Sequence, residues 1–327
     1  MSLEVKNLRK KYGEKVVLED LSFTMDKPGV YALLGTNGAG KTTSIRMILG
    51  MLVSDGGSVS WNGQPLDPLK INVGYLAEER GLYPKVTLMD QLLYFADLKN
   101  MPRATAKKRI AELAKRLEVE EYLYPKKNAT KAAKRKKKEK PKTAEQLSKG
   151  NQQKIQLLVA LLSDPELIVL DEPLSGLDPV NADLFKEIIR EEIAAGKYMI
   201  MSSHQMATIE EFCEDVTILH HGKAVLQGNL NEIKKSYGRV HLQVKCEQDI
   251  LPILEEMQMN IEEATPDGYA IKVEKEEEAT ELLKRLLYEN ITIIRYELRE
   301  PSLHEIFVEK VGEPKDTEVS EGEGGAE

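Results

Sequence analysis

The chain has 327 residues, of which 41% are hydrophobic and 31% charged, enough for a sizeable core and long for one domain, so one larger and one smaller unit are expected. Its formal net charge of -8 argues against a protein that coats nucleic acid over its whole surface. No apolar run approaches the roughly 18 residues of a membrane-spanning helix, and Met1-Ser2-Leu3-Glu4-Val5-Lys6 lacks a signal-peptide layout, so a soluble, cytosolic chain is expected.

Residues 2 to 34 alternate in the manner of strands through Leu3, Val5 and Leu8, then Leu18, Leu21, Phe23 and Met25, predicting two antiparallel strands. A Lys27-Pro28-Gly29 turn leads into the apolar run Val30 to Leu34. Directly after it stands Gly35-Thr36-Asn37-Gly38-Ala39-Gly40-Lys41-Thr42, a complete G-x-x-x-x-G-K-[ST] loop, followed by a helix-like run from Thr43 to Met51. Glycines let the backbone curl so that successive N–H groups aim inward, and the helix N-terminus adds its positive dipole end. This cradle fits a nucleoside triphosphate. Gly35, Asn37, Gly38, Ala39, Gly40, Lys41, Thr42 and Thr43 are the candidate contacts, with Lys41 reaching the β/γ-phosphates and the Thr42 hydroxyl offered to Mg²⁺.

Gly57 to Trp61, closed by Asn62-Gly63, reads as half of a hairpin, and Val73 to Leu76 as a short strand. From Thr87 to about Leu123 the apolar spacing becomes helical, predicting a helical subdomain over about 87–163. Units of helix (152–162), strand (167–170), helix (180–195), strand (198–201) and helix (206–213) then imply a parallel sheet covered by helices. A hairpin through His221-Gly222 closes the first domain near Gly228; His220 and His221 read most simply as turn residues. Residues 239 to 311 follow the order strand, helix, two strands, helix, strand and final helix, a small α+β domain over 229–312. The acidic, Gly-rich tail 313–327 is expected to be disordered. Cys213 and Cys246 stand far apart in apolar contexts and read as reduced core residues.

The strand Leu167 to Leu170 ends in Asp171-Glu172, the second half of a phosphate-loop nucleotidase, with Asp171 toward Mg²⁺ and Glu172 toward the attacking water. Leu147-Ser148-Lys149-Gly150-Asn151 followed by Gln152-Gln153 resembles the signature motif of ATP-binding cassette (ABC) ATPases. Ser175-Gly176-Leu177-Asp178 resembles their D-loop, His204 in Ser202-Ser203-His204 their switch histidine, and Tyr12 their adenine-stacking aromatic. Tyr12 as an ordinary strand aromatic and His204 as a satisfied core histidine stay open as alternatives. The resemblance covers residues 2 to 228 and implies the fold: an α/β phosphate-loop cassette with a mixed sheet, an antiparallel β subdomain and a helical subdomain, here followed by the small α+β domain.

In that family two cassettes pack head to tail, so the resemblance implies that Ser148 and the Gly150 N–H meet the γ-phosphate of the partner copy's nucleotide. Asp178 would couple the two sites, while Glu172, His204 and Lys41 would carry the catalysis. Where many members place glutamine after the Val73 to Leu76 strand, this chain offers Glu78, a carboxylate that can still take Mg²⁺. Lys149, Asn151 and the Glu79-Arg80-Gly81-Leu82-Tyr83-Pro84 phrase resemble exporter ATPases of sodium-efflux, drug-resistance and bacteriocin-resistance type. Such ATPases often carry a small C-terminal domain whose last helix reads as Pro301-Ser302-Leu303-His304-Glu305-Ile306-Phe307 does here. The implied partners are a transmembrane permease and a second cassette, at the cytoplasmic face of a membrane. A soluble ABC ATPase acting on ribosomes or nucleic acid is the alternative, and a regulatory subunit with negligible turnover a third reading.

The segment 125–143 is strongly basic and stands where relatives usually have a short connection. It reads either as a solvated loop or as an attachment to anionic lipid, at roughly 1 kcal/mol per basic residue. Nucleic acid is the weakest partner for it, because the run from Lys126 to Lys142 contains no aromatic residue for stacking.

Overall fold

The computed structural model describes residues 1–68, 70–79, 81–124 and 141–312. The expected basic insertion, for the most part, and the acidic tail lie outside the described residues. The chain divides into two compact units, Met1–Gln227 and a second that begins at Gly228.

The first unit opens with β1 (Leu3–Tyr12) and β2 (Lys15–Met25), an antiparallel pair whose inward residues Leu3, Leu8, Leu18 and Leu21 are fully buried. β3 (Gly29–Gly35) is buried almost throughout and feeds the glycine-rich loop, after which α1 (Lys41–Ile48) begins. β4 (Gly56–Trp61) and β5 (Gln64–Pro65) form the predicted hairpin, its turn made by Asn62 and Gly63, both at positive φ as a primed turn requires. β6 (Val73–Leu76) follows.

Residues 87–163 hold the helical segment: α2 (Leu88–Leu98), α3 (Arg103–Arg116), the short α4 (Glu120–Leu123), a 3-10 turn over Ala144–Gln146, and α5 (Lys149–Leu161). Thr87 caps α2 by accepting from the Asp90 N–H, and Ser148 caps α5 by accepting from the Asn151 N–H. The alternating part runs β7 (Leu167–Asp171), α6 (Pro179–Ala194), β8 (Tyr198–Ser203), α7 (Met206–Ile209), β9 (Asp215–His220) and β10 (Lys223–Asn229). α7 ends four residues before the expected boundary.

The sheet order is β5-β4-β1-β2-β10-β9-β3-β8-β7-β6. β9, β3, β8, β7 and β6 are mutually parallel, while β1, β2, β4 and β5 form the antiparallel flank. One core cluster joins the two parts, with Phe23 stacked on Tyr31 at 3.9 Å between ring centroids and Trp61 edge-on to Tyr198 at 5.1 Å. β3 and β7 are therefore held side by side with β8 between them, and the loops at their C-terminal ends converge. That is where an open α/β sheet receives ligands.

The second unit adds α8 (Leu230–Tyr237), a helix the sequence reading did not separate, then β11 (His241–Cys246), α9 (Leu251–Glu256), β12 (Asn260–Thr265), β13 (Gly268–Lys272), α10 (Glu276–Tyr288), β14 (Ile293–Arg299) and α11 (Leu303–Val311). Its sheet order, β12-β13-β11-β14, is that of a split βαββαβ domain. Its core is built from Leu242, Val244, Ile250, Leu254, Ile271, Leu282 and Leu286. The Pro301 to Phe307 phrase is a helix start: Ser302 caps α11, Glu305 bonds back to the Ser302 N–H, and Leu303, Ile306 and Phe307 are buried.

Candidate functional site

The loop after β3 wraps a cleft of about 490 Å3 lined by Tyr12, Lys15, Val16, Val17, Asn37, Gly38, Ala39, Gly40, Lys41, Thr42, Thr43, Glu78, Glu172, His221 and Gly222. Two glycines are sterically required. A Cβ on Gly35 would stand 2.2 Å from the Leu219 carbonyl oxygen, and one on Gly40, at φ 108°, would stand 2.8 Å from that of Val17. Backbone crowding thus fixes the loop between β9 and β2. The His221-Gly222 turn braces it further, the Gly222 N–H donating to the Ala39 carbonyl at 3.2 Å.

Lys41 and Glu172 are both buried and face each other, Nζ to Oε1 at 3.2 Å, while the same ammonium donates to the Gly35 carbonyl at 2.8 Å. Glu172 also meets His204, Oε2 to Nδ1 at 2.9 Å. The Glu172 backbone is left-handed, at φ 50°. Strain of this kind, of order 1–3 kcal/mol, gathers at working sites. Ser202 bridges the two acids, accepting from the Glu172 N–H at 3.0 Å and donating to Asp171 Oδ1. Burial pushes the Asp171 carboxyl above the usual carboxylate range and the neighbouring Glu172 charge adds to it, while the Ser202 and Thr42 hydroxyls and the Lys41 ammonium pull the other way.

Asp171 Oδ2 is a buried oxygen with no hydrogen-bond partner among the described residues, whereas Glu172 Oε1 is taken by the Lys41 ammonium. An unsatisfied buried carboxylate oxygen beside a threonine hydroxyl is an all-oxygen donor set, the kind that hard divalent cations take. Glu78 lines the same cleft. Tyr12 ends β1 at the cleft, half-exposed, with Lys10 Nζ 5.4 Å from its ring centroid.

Ser148, Gly150 and Asp178 do not line this cleft. The Ser148 hydroxyl is occupied as the α5 cap, and Asp178 caps α6, accepting from the Asn181 N–H at 3.1 Å. Backbone and side-chain bonds from Asn181 hold the Asp178 carboxyl below its usual range. A Cβ on Gly150 would stand 3.0 Å from Asn181 Nδ2 and 3.6 Å from Leu177 Cδ2, so the start of α5 lies close to the start of α6 and the loop before it within one chain.

The sequence reading missed the Lys15, Val16 and Val17 wall, the His221-Gly222 brace and the Ser202 bridge. The first two come from long-range pairing, β10 meeting β2 at Lys223 and Asp20. Ser202 was legible in principle, because parallel pairing of β7 with β8 sets it opposite Asp171.

A phosphate-gripping loop on a central strand, faced by buried acids from a parallel strand two places along the same sheet, defines a phosphate-loop nucleotide hydrolase. Residues 18–175 match the family described as ABC transporter, and residues 228–311 match the ATP-binding protein DrrA1-3-like C-terminal domain. The uncharacterized ABC transporter ATP-binding protein YhaQ of Bacillus subtilis (strain 168) is 40% identical over 311 residues, 95% of this chain and 98% of that protein. The Nod factor export ATP-binding protein I of Ralstonia nicotianae is 32% identical over 71% of this chain and 68% of its own length. Among solved structures, one titled as the ATP binding subunit of an ABC transporter shares 31% identity over 73% of this chain and 94% of its own, with a TM-score of 0.62. The chain belongs to the ATP-binding proteins of ABC transporters, whose cassette hydrolyses ATP and works with transmembrane partners. Among the described residues no helix is long and apolar enough to cross a membrane.

Proposed function

We propose that this chain powers a membrane exporter as its ATP-hydrolysing subunit, joined to a separate transmembrane permease at the cytoplasmic face. The observation that carries this reading is the buried Lys41–Glu172 pair behind a complete phosphate loop, with the exposed His204 ring against the other Glu172 oxygen. An intact acid and histidine argue for turnover rather than for a silent regulatory subunit. Export rests on the name of the Nod factor relative and on the resistance-type phrase Glu79 to Pro84. A soluble ATPase on ribosomes or nucleic acid has no observation in its favour.

The backbone N–H groups of 37–42 bind the β- and γ-phosphates, and Lys41 leaves Glu172 to reach them. Glu172, released from that ion pair, takes the proton of the attacking water, and His204 orients the carboxylate through its 2.9 Å contact. Tyr12 stacks on the base. Thr42, Asp171 and Glu78 would hold Mg²⁺, which supplies neutralisation of phosphate charge when bound. Ser148 and the Gly150 N–H, at the N-terminus of α5, bind the γ-phosphate held by a partner copy, and Asp178 couples the two sites; that these residues do not line their own cleft supports this division of labour. Residues 1–228 form the cassette and 229–312 an accessory domain. The basic segment 125–143 adds attachment to an anionic leaflet, tested by sedimentation with anionic vesicles before and after its lysines are neutralised.

Purification from detergent-solubilised membranes tests the main reading. A polytopic protein copurifies, and ATP turnover per chain is higher in the complex than in the isolated subunit. Recovery with ribosomes or nucleic acid and no membrane protein overturns it.

A further inference from the structure

The second unit ends its sheet in an edge that is complementary to itself. Among the described residues β14 pairs on one side only, with β11, and its register is regular from Arg295 to Arg299, with an irregularity at Ile293 opposite Cys246. The strand is seven residues long and has no proline, so neither shortness nor proline blunts the edge, and the charges that guard it are of both signs. Its side chains alternate. Tyr296 donates to the Ala279 carbonyl of α10, and Tyr296 and Leu298 pack on the core, so these two lie on the helix-covered face and Arg295, Glu297 and Arg299 on the other; at the irregularity Ile293, not Ile294, packs inward. Ile294 is 57% exposed, as are the Arg295 and Glu297 side chains at 55% and 47%.

An antiparallel copy of this strand that keeps both sheet faces continuous must place its dyad on a residue. With the dyad on Tyr296, Arg295 stands opposite Glu297 of the partner subunit and Glu297 opposite the partner's Arg295. Shifting the dyad to Glu297 sets Glu297 against itself and Arg295 against the partner's Arg299; shifting it to Arg295 sets that residue against itself. One register alone has opposite charges across both pairs. Arg295 already donates to Glu297 within the strand, Nε to Oε2 at 3.0 Å, so the pairing closes a ring of four alternating charges.

We propose that two copies of this chain associate through β14, forming one continuous sheet across a two-fold axis on Tyr296. A single strand pair is a small interface, so the association is weak and acts as a tether that raises the effective concentration of one cassette near the other. It requires no nucleotide, which separates it from closure of the cassettes themselves.

Sedimentation equilibrium of the full-length chain without nucleotide tests it. The wild type shows a concentration-dependent monomer–dimer equilibrium. Arg295→Glu and Glu297→Arg each place like charges opposite one another and raise the dissociation constant about tenfold. An equimolar mixture of these two variants restores association, as does the double variant Arg295→Glu/Glu297→Arg, because each recreates opposite pairs. Circular dichroism of every variant checks that the domain is folded. A strictly monomeric wild type overturns the proposal. So do charge reversals without effect, or a mixture and a double variant that both stay as weak as the single changes. Association driven by ATP in Glu172→Gln is a separate readout and survives any of these failures.

Discussion

The Lys41 ammonium and the Glu172 carboxylate neutralise each other at 3.2 Å in a cleft where both side chains are almost excluded from water. In the proposed reaction the lysine that grips phosphate is thus paired with the acid that serves as base, and binding of a triphosphate would exchange one anion for another at Lys41 and free Glu172 for the attacking water. Removing one partner leaves the other charge buried. Lys41→Met is expected to lower nucleotide-free stability by about 2 kcal/mol, and Lys41→Met/Glu172→Gln to recover part of that loss. Urea titration of the wild type, both single variants and the double variant checks this, and additive losses would refute the coupling.

Glu172→Gln keeps the shape of the site and removes the base. Turnover is expected to fall by about 10²–10⁴ while ATP binding is retained. His204→Ala leaves Glu172 without its orienting contact, so kcat is expected to fall with KM little changed. Steady-state ATPase assays with a binding isotherm for each variant decide both. A large rise in KM for His204→Ala would assign that residue to binding instead.

Burial of Asp171 has a cost that can be read from pH. Its carboxyl titrates above the usual range in the fold, so the native state holds a proton that the unfolded chain has lost, and stability falls as pH rises through that window. At neutral pH the charged group is a liability tolerated for function. Asp171→Asn is expected to stabilise the nucleotide-free protein by on the order of 1 kcal/mol at pH 7, to flatten the acid side of its pH profile, and to abolish Mg²⁺-dependent ATPase. A lower Tm for the variant contradicts this.

Glu305 has the opposite sign. Burial alone would raise its pKa, but the Arg299 guanidinium and the Ser302 N–H and hydroxyl hold it at about 2. The stability it supplies is present above the ordinary carboxylate value and is lost as pH falls toward 2. With the side chain 32% exposed, solvent screens part of this, and Glu305→Gln is expected to cost about 1 kcal/mol at pH 7. Unfolding of the variant and the wild type followed between neutral and acid pH checks it: the gap closes on acidification.

What the sequence made legible follows from distance along the chain. The phosphate loop lies between its strand and its helix, and Asp171-Glu172 closes an apolar run, so both follow from local spacing. The Ser302-Leu303-His304-Glu305 start of α11 is a capping box readable from four residues. α8 escaped notice although Leu230, Ile233 and Tyr237 stand at helical spacing, because eight residues are two turns, short enough to pass for the link between two domains. α7 stops at Ile209, where the half-exposed Glu210 and Glu211 begin, and Glu211 turns to pair with Lys186 and Arg190 on α6. The Tyr122 hydroxyl that accepts from the Asn151 amide at 2.9 Å joins residues with no sequence signal between them. Contacts of this kind, like the Val17 carbonyl between Gly40 and Gly222, exist only once distant strands have been brought side by side.

The central claim is that each triphosphate is served by the phosphate loop of one copy and the signature of another. Complementation between two inactive variants measures it directly. Lys41→Ala disables the loop; Ser148→Asp keeps an α5 cap while setting a negative charge against the phosphate. Random mixing makes half of the dimers mixed, each with one intact site of two, so ATPase activity is expected to recover to about a quarter of wild type. A mixture no more active than either variant alone would place the whole site within a single chain and contradict the account.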